Sequence, residues 1–480
     1  MNRPTQQVNR LRRFFSRFDD GTLFDSEGPD AFRNLRRELR ETFFDLLLRH
    51  RPFLEGETGL DWPYREFEKR AAGMETLAQE GETPLIRKQA RLFLALLPFP
   101  GQWRWLIQVE TEMGECPEIQ ELLASEQRKI KAKIQKKVQK KFKLRHFCQI
   151  LKRPGPPEEK GILRIFSLPY LFADARLLKQ LHPHYLIYIE PPWGVLARHT
   201  WLRAFAQTAD PCIIGAGGHE DAAFLSTQDG IVTTRLAHGD FLEEEEVPLG
   251  CKKRFDLVFN ATFDDMERKR HRFTLDLLAR PPLEHITALF IGRGNPTNVK
   301  ACEQAVQDRG LSERVTVVSN LMRKDVPEQL AACRIGVQTS LHENACRSIY
   351  ECFRSDLPCI VTSSMAGFNF DLITPRTGRV VSDADLPDAV LDTLNRLDRF
   401  SPRKWFLKNS GSRISSRRLN REFKNLFAHR GYSWHEDIVP LGSSGATRYV
   451  DSADYEAFRP SFQQLLEILD PFLPIRLSLE

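Results

Sequence analysis

The feature that most constrains the fold is an alternation that runs from residue 161 to about residue 400. Short apolar runs such as "ILRIFSLPYL" and "FDLVFNATF" alternate there with stretches of helical periodicity such as "ADARLLKQLH". Apolar runs of four to six residues between helices are typical of parallel strands whose sheet is covered on both faces. We therefore predict an α/β fold with two doubly wound domains, over residues 161–250 and 251–400.

The segments on either side lack this alternation. Residues 1–152 carry many charges and apolar residues at helical spacing but no convincing strand, so we predict a helical region. The linker "RPGPPEEKG" ends it, because its prolines cannot continue a helix. Residues 401–480 are predicted to form a helical extension. We interpret the acidic run "LEEEEVPLGCKK" as the connection between the two doubly wound domains.

Length and cysteine content narrow the class of protein. A chain of 480 residues is long enough for two or three domains. Its nine cysteines include no Cys-x-x-Cys pair and mostly lie in apolar runs, which favours reduced thiols and disfavours a zinc site. The N-terminus lacks the apolar segment of a signal peptide, and the run "LFLALLPF" is too short to span a bilayer. We predict a cytoplasmic protein.

A strongly basic segment precedes the linker. From Glu126 to Arg153 there are twelve lysines or arginines and one acid, and an Ile/Val/Phe stripe predicts an amphipathic helix. This helix is either a solvated helix packed by its stripe or a contact for an anionic membrane surface, which would place the protein on the inner face of the membrane. Nucleic acid is disfavoured, because no aromatic residues are interleaved and no known motif is present.

The second doubly wound segment contains motifs in a specific order. A strand ending in "GRGN" is followed by "SLHENACRSIYE", which holds Glu343 and Glu351, and then by "DLPCIVTSS" and "TGRVV". This order resembles the nucleotide-binding half of GT-B glycosyltransferases, which have two Rossmann-like domains. Specifically, it resembles the motif pattern of the large, mostly retaining group that includes glycogen synthase, sucrose synthase and bacterial polysaccharide glycosyltransferases. The resemblance covers roughly Phe255 to Leu397.

The resemblance implies roles for both glutamates. Glu343 would contact the donor sugar and support charge at its anomeric carbon, and Glu351 would bind the ribose. If a helix begins near Glu343, eight residues cover about 12 Å, similar to the reach from sugar to ribose, and the N-terminus of the helix faces the diphosphate. The alternative for such a pair is a solvated helix face.

Two departures from the family pattern concern the donor. Thr262 stands where the family has a diphosphate-binding arginine, and of the basic residues that follow we favour Lys269 as catalytic; such a trio also occurs on plain surfaces. The family's Gly-Phe-Gly is replaced, and we hypothesise that Arg347 supplies the missing cation. The predicted donor-binding residues are Thr262, Arg268, Arg270, Gly292, Gly294, Asn344, Ala345, Cys346, Arg347 and Glu351.

The first doubly wound domain is predicted to bind the acceptor. Glu190 and Trp193 follow one strand and Gly217 and Gly218 follow another, so these four residues are predicted at the edge where strands end. His219 is the titratable group that we predict to be catalytic. The alternatives are a core position for Trp193 and a simple turn residue for His219.

These observations predict a glycosyltransferase that moves a sugar from a nucleoside diphosphate sugar to a glycan, a lipid-linked sugar or a protein. The resemblance implies retention of configuration and a reaction without metal or cofactor, because cations and helix dipoles stabilise the departing diphosphate. A catalytically degenerate GT-B domain that serves as a sugar-nucleotide sensor or scaffold is the first alternative. A sugar-nucleotide epimerase is the second, which the order of the motifs disfavours.

Overall fold

A computed structural model describes residues 3–19, 34, 62–96, 142–155, 159–191, 202–226, 228–244, 247–443, 447–473 and 475–479. The chain forms two compact units, which are described separately. The first unit comprises Met1–Arg235, Lys424–Ile438 and Asp451–Glu480, and the second comprises Leu236–Phe423 and Val439–Val450.

The strands of the described residues are numbered in chain order. They are β1 (Phe142–Lys143), β2 (Cys148–Lys152), β3 (Gly161–Ile165), β4 (Tyr185–Ile189), β5 (Cys212–Gly215), β6 (Ile231–Thr234), β7 (Phe255–Asn260), β8 (Ala288–Gly292), β9 (Val315–Ser319), β10 (Cys333–Gln338), β11 (Cys359–Thr362), β12 (Gly378–Val381) and β13 (Leu477–Ser478).

The α-helices are numbered in the same way. They are α1 (Arg3–Asp19), α2 (Trp62–Glu80), α3 (Pro84–Leu96), α4 (Ala175–Leu181), α5 (Arg203–Ala206), α6 (His219–Ser226), α7 (Met266–Lys269), α8 (His271–Leu278), α9 (Pro296–Gln307), α10 (Val326–Ala331), α11 (Arg347–Arg354), α12 (Leu386–Asn395), α13 (Pro402–Asn409), α14 (Ser412–Arg430), α15 (Ser452–Ala457) and α16 (Arg459–Leu469). Among these described helices, none combines the length and the apolar character needed to cross a bilayer.

The first unit contains a five-stranded sheet with the order β2-β3-β4-β5-β6. Strands β3 to β6 are parallel, as the alternation predicts, and β2 is antiparallel to β3. The central strands are buried: all five residues of β4 are buried, which agrees with a parallel strand covered on both faces. A short parallel pair joins β1 to β13, in the C-terminal segment of this unit.

The N-terminal region differs from the prediction of helices alone. Helices α1, α2 and α3 agree with it, but β1 and β2 lie inside residues 1–152, and "CQILK" of β2 is fully buried beside β3. Five residues are too few for periodicity to distinguish a strand from a helix. The segment is a strand because it pairs with β3. Of the predicted basic helix, residues 126–141 lie outside the described residues, and residues 142–152 form strands and a short 3₁₀ turn.

The second unit contains a six-stranded parallel sheet with the order β12-β11-β10-β7-β8-β9. Both faces are covered, because Leu257 and Phe259 of β7 belong to one buried cluster and Val258, between them, to another. The order runs outward from β7 in one direction and from β10 in the other. The sheet is therefore doubly wound, with its switch point between β7 and β10.

The boundaries of the second unit differ from the predicted ones. Residues 236–250, which we interpreted as part of the first domain and its connection, belong to this unit. Leu242 lies in its core, and a Cβ at Gly239 would lie 2.8 Å from the carbonyl oxygen of Ala345. Part of the predicted C-terminal extension also belongs here, since the Phe406 side chain is buried in the same core.

Candidate active site

The candidate site lies at the switch point of the second unit, where β7 and β10 end side by side. Gln338, the last residue of β10, donates from Nε2 to the carbonyl oxygen of Asn260, the last residue of β7, at 3.1 Å. Ligands of doubly wound sheets bind beyond the carboxyl ends of the strands at this point. The segments that follow these two strands carry all the predicted donor residues except Gly292 and Gly294, which lie at the end of β8 and just after it.

Two glycines shape the turn after β7. A Cβ at Gly292 would lie 1.9 Å from the carbonyl oxygen of Ala261, and one at Gly294 would lie 2.7 Å from the Cβ of Phe263. No side chain fits at such distances, so these glycines allow the turn to lie against the end of β8. The structure therefore gives both glycines a role in packing, beside the predicted contact with the donor.

Thr262 caps this turn. Its hydroxyl accepts a hydrogen bond from the backbone N–H of Asp264 at 3.3 Å and donates to the carbonyl oxygen of Arg293 at 2.9 Å. The residue that stands in place of the family's arginine thus stabilises the local backbone. It carries no charge for a diphosphate.

The short helix α7 brings two cations to Glu343. The Nη1 atom of Arg268 donates to Oε1 of Glu343 at 2.9 Å and to the carbonyl oxygen of His342 at 2.8 Å, and the Lys269 ammonium group donates to the same carboxylate oxygen. The backbone supports this geometry, because the N–H of Leu341 donates to the carbonyl oxygen of Arg268 at 2.9 Å. Residues separated by more than seventy positions in sequence therefore form one charged cluster.

The cluster determines the charge of Glu343. Burial by itself raises the pKa of this carboxyl group, but Lys269 and Arg268 outweigh burial and hold the pKa at about 2. Glu343 is consequently an anion at neutral pH and has no proton to donate. A fixed carboxylate of this kind stabilises positive charge in a reacting group.

Glu351 lies on α11 and has two partners of its own. Its Oε2 atom accepts a hydrogen bond from Nδ2 of Asn260 at 2.8 Å, and Oε1 accepts one from Nε of Arg347 at 2.9 Å. Arg347 also donates from Nη1 to the carbonyl oxygen of Ser443 at 3.1 Å. The guanidinium group of Arg347 thus pairs with Glu351, the carboxylate predicted to bind the ribose, and not with Glu343.

The segment between the two glutamates is a loop and not the first turn of a helix. Helix α11 begins at Arg347, four residues after Glu343, so our expectation of a helix that begins near Glu343 is corrected. Cys346 has a φ of 26°, which interrupts helical geometry. A positive φ at this position reproduces a conformation that glycine favours, although the family's glycine is absent.

The side chains of this loop are mostly buried. Asn344 and Cys346 are each 4% exposed, and Ala345 is half-buried. Burial raises the pKa of the Cys346 thiol to about 12, so this thiol is neutral and unreactive in the folded protein. Only the backbone of these residues is therefore well suited to approach a donor.

Arg270 lies apart from the Glu343 cluster. Its guanidinium group forms a two-pronged ion pair with Asp383, with Nη1 to Oδ1 at 2.9 Å, and stacks over the ring of Phe273 at 3.7 Å. This arrangement ties α8 to the segment after β12. The structure does not bring Arg270 together with the other predicted donor residues.

The predicted acceptor residues belong to the first unit. Glu190 follows β4, and its Oε2 atom accepts a hydrogen bond from Nη2 of the buried Arg164 at 2.7 Å. Gly217 and Gly218 are buried after β5, and Nδ1 of the exposed His219 lies 3.2 Å from Nη1 of Arg235. Trp193 lies outside the described residues. Their roles in acceptor binding and catalysis stay predictions.

Three polar residues at the site were missed in the sequence. Asn260 contacts Glu351, and Arg293 lies near enough to Arg323 to lower the pKa of its guanidinium group, after burial and Arg347. Arg323 also donates from Nη1 to the carbonyl oxygen of Ser443 at 3.2 Å. The signal for Arg293 was available, because it is the middle residue of the Gly-x-Gly turn.

The core of the second unit matches a known family. Residues 254–398 match the family model described as "Glycosyl transferases group 1". The match covers 145 of the 480 residues and lies within the second unit. The matched segment includes both glutamates, Arg268 and Lys269. The match confirms the prediction of a glycosyltransferase, and together with the two Rossmann-like sheets it confirms the predicted GT-B fold.

Solved structures show a more distant likeness. Sucrose-phosphate synthase from Thermosynechococcus elongatus is 17% identical over 51% of this chain and 68% of its own, with a TM-score of 0.40. TarM is 14% identical over 51% of both chains, with a TM-score of 0.42. Anabaena HepE in complex with UDP is 15% identical over 55% of this chain and 78% of its own, with a TM-score of 0.42. No curated protein sequence matches the chain.

Proposed function

We propose that the protein transfers a sugar from a nucleoside diphosphate sugar to a hydroxyl group of a glycan, a lipid-linked sugar or a protein, with retention of configuration and without a metal ion. The observation that carries this proposal is the ionised carboxylate of Glu343 beside the two cations of α7, at the switch point of a glycosyltransferase domain. This arrangement supplies both signs of charge that breaking a glycosidic phosphate bond requires.

The chemistry follows from these charges. When the bond between the anomeric carbon and the diphosphate oxygen breaks, the carbon gains positive charge and the diphosphate gains negative charge. Glu343 stabilises the first, and Lys269 with Arg268 stabilises the second. Two cations in contact with an anionic carboxylate are already desolvated and oriented, so little reorganisation is needed as charge develops.

Glu351 is suited to the ribose. Its carboxylate is a hydrogen-bond acceptor for a pair of hydroxyl groups, and Asn260 holds one oxygen in place from the end of β7. A ribose diol that binds there replaces contacts from Arg347. We expect the released guanidinium group to turn toward the negative charge of the nucleotide. It would then replace the diphosphate-binding arginine that the family has at the position of Thr262.

A panel of nucleoside diphosphate sugars tests the proposal. We expect wild-type protein to release nucleoside diphosphate from one of them, and Lys269→Ala and Glu343→Ala each to lower kcat by about 100-fold or more. Arg272→Gln, which removes an exposed cation on α8 three residues from Lys269, is the matched control and should keep activity within about threefold. The anomeric configuration of the product, read by NMR, tests retention, and activity in EDTA tests metal independence.

A second candidate function rests on Thr262. Because its hydroxyl is used in capping and it brings no charge, a degenerate site that binds sugar nucleotides as a sensor is the competing proposal. Binding of a nucleotide sugar with no turnover, across the whole panel and with several acceptors, would favour the sensor. Loss of that binding in Glu351→Ala would place the nucleotide at this site in either case.

A further inference from the structure

One short part of the second unit is strongly basic. The 22 residues of Pro402–Phe423 contain seven lysines or arginines and one acid, a net charge of +6. A concentration of this kind needs a physical explanation, because like charges repel one another.

Helix α13 turns its apolar side inward and three other residues outward. Phe406 is fully buried, and the ring of Trp405 packs edge to face against Phe353 of α11 at 5.7 Å. Lys404 and Lys408 are exposed, and between them Leu407 is 42% exposed. Positions 404, 407 and 408 lie on one side of a helix, so a leucine is presented to solvent between two ammonium groups.

Helix α14 is anchored by serines on its opposite side. Ser412 donates from Oγ to the carbonyl oxygen of Phe241 at 3.0 Å, and Ser415 donates to that of Asp240 at 2.8 Å. Arg413, Arg417 and Arg421 are all exposed and recur at intervals of four residues. At about 100° per residue these three side chains lie within an arc of roughly 80° on the helix. The anchors keep this arginine row directed away from the core.

Lys404, Lys408 and the arginine row form no ion pair with acidic side chains in the described part of the chain. Surface cations that serve stability usually alternate with acids along a helix. We define the basic surface as Lys404, Leu407, Lys408, Arg413, Arg417 and Arg421.

We propose that the basic surface binds the headgroup layer of an anionic membrane. Each lysine or arginine near such a layer contributes about 1 kcal/mol, and an exposed leucine among them can enter the boundary with the acyl chains. Nucleic acid fits less well, because single strands are bound by exposed aromatic residues and the aromatic side chains of α13 pack inward. The inference is independent of the proposed function and of residues 126–141.

Vesicle sedimentation tests the proposal with the full-length protein. We expect it to bind vesicles of 70% phosphatidylcholine and 30% phosphatidylserine, to release at high salt, and not to bind phosphatidylcholine alone. The triple variant Arg413→Gln, Arg417→Gln, Arg421→Gln should bind on the order of 100-fold more weakly, which corresponds to about 1 kcal/mol for each charge. Leu407→Ser should weaken binding in the same direction.

A matched triple variant controls for total charge. Arg272→Gln, Arg280→Gln, Lys300→Gln removes three exposed cations elsewhere in the second unit and should bind as the wild type does. An equal loss in both triples would overturn the proposal, because net charge alone would then explain binding. Retention of the wild type by DNA or heparin but not by anionic vesicles would also overturn it, in favour of a polyanion. The thermal midpoint of each variant checks that it is folded.

Discussion

At the scale of single residues, the site is defined by charges that are already paired before any substrate arrives. Glu343 contacts two cations and Glu351 contacts Asn260 and Arg347, so each carboxylate has a fixed orientation. A donor that binds here breaks polar contacts within the protein and forms new ones with the same side chains. The binding free energy of the donor is therefore the difference between the contacts formed and the contacts broken.

The low pKa of Glu343 leads to a prediction about acid stability. A pKa held at about 2, against 4.5 for an unperturbed glutamate, means that this carboxylate stabilises the folded state above pH 4.5 and that the contribution is lost as the pH falls toward 2. The difference in free energy of unfolding between wild type and Glu343→Gln should therefore narrow by roughly 2 kcal/mol from pH 6 to pH 3. Urea unfolding at the two pH values measures it.

The control for this experiment is Glu313→Gln, which removes an exposed acid of the same unit. Its difference from the wild type should change little over the same range. A gap between wild type and Glu343→Gln that is the same at pH 6 and pH 3 would contradict the ion-pair explanation.

The positive φ of Cys346 leads to a second prediction. At a φ of 26° a Cβ costs about 1 kcal/mol, so Cys346→Gly should be more stable than Cys346→Ala by about that amount. Cys352 is also buried but lies inside α11, where alanine is favoured over glycine by about 1 kcal/mol. The order of stability of the glycine and alanine variants should thus reverse between the two positions. Chemical denaturation of the four variants measures these stabilities. The same order of glycine and alanine at both positions would show that the backbone at Cys346 is not strained.

At the scale of elements, the site depends on how closely the turn after β7 approaches the end of β8. Gly292 allows the turn after β7 to approach β8, and that turn carries Thr262 and leads into α7. The position of Lys269 is therefore determined by a contact between two backbones. A change in this contact should therefore shift Lys269 relative to the carboxylate of Glu343, although Gly292 itself does not contact that carboxylate.

We accordingly predict that Gly292→Ala lowers the free energy of unfolding by about 3 kcal/mol and weakens nucleotide binding. The added Cβ would lie 1.9 Å from a backbone oxygen that cannot move without distorting the turn. Gly73→Ala, inside α2 with no atom within 4 Å of the new Cβ, should instead raise stability by up to about 1 kcal/mol. Thermal unfolding and nucleotide titration provide the measurements. Equal stability of Gly292→Ala and the wild type would show that the turn adapts.

The elements also show what the sequence could and could not predict. The apolar runs of the second unit became strands β7 to β12 because a parallel strand buried on both faces is recognisable from its own residues. Strand β2 and the partner of Arg270 were not predictable in this way. The first depends on pairing with β3, and the second depends on Asp383, which is 113 residues away. Local pattern carries no information about such partners.

At the scale of the whole molecule, the order of the chain does not follow the order of its units. We expected a boundary near residue 250 and an extension from residue 401. Instead, the chain passes from one unit to the other four times, after residues 235, 423, 438 and 450. Composition shows where a domain core begins, but the later segments are short and polar and resemble ordinary surface helices. Their membership is decided by a few buried side chains, such as Phe406.

Because residues 439–450 belong to the second unit, they limit how this protein can recombine with a homologous one. The carbonyl oxygen of Ser443, in that segment, is the acceptor that Arg347 and Arg323 share beside Glu351. A single crossover near residue 401, where we expected an extension to begin, would leave those arginines with a neighbour from another parent. An exchange of the second unit that keeps this shared acceptor with its arginines must therefore carry two separate segments, residues 236–423 and 439–450.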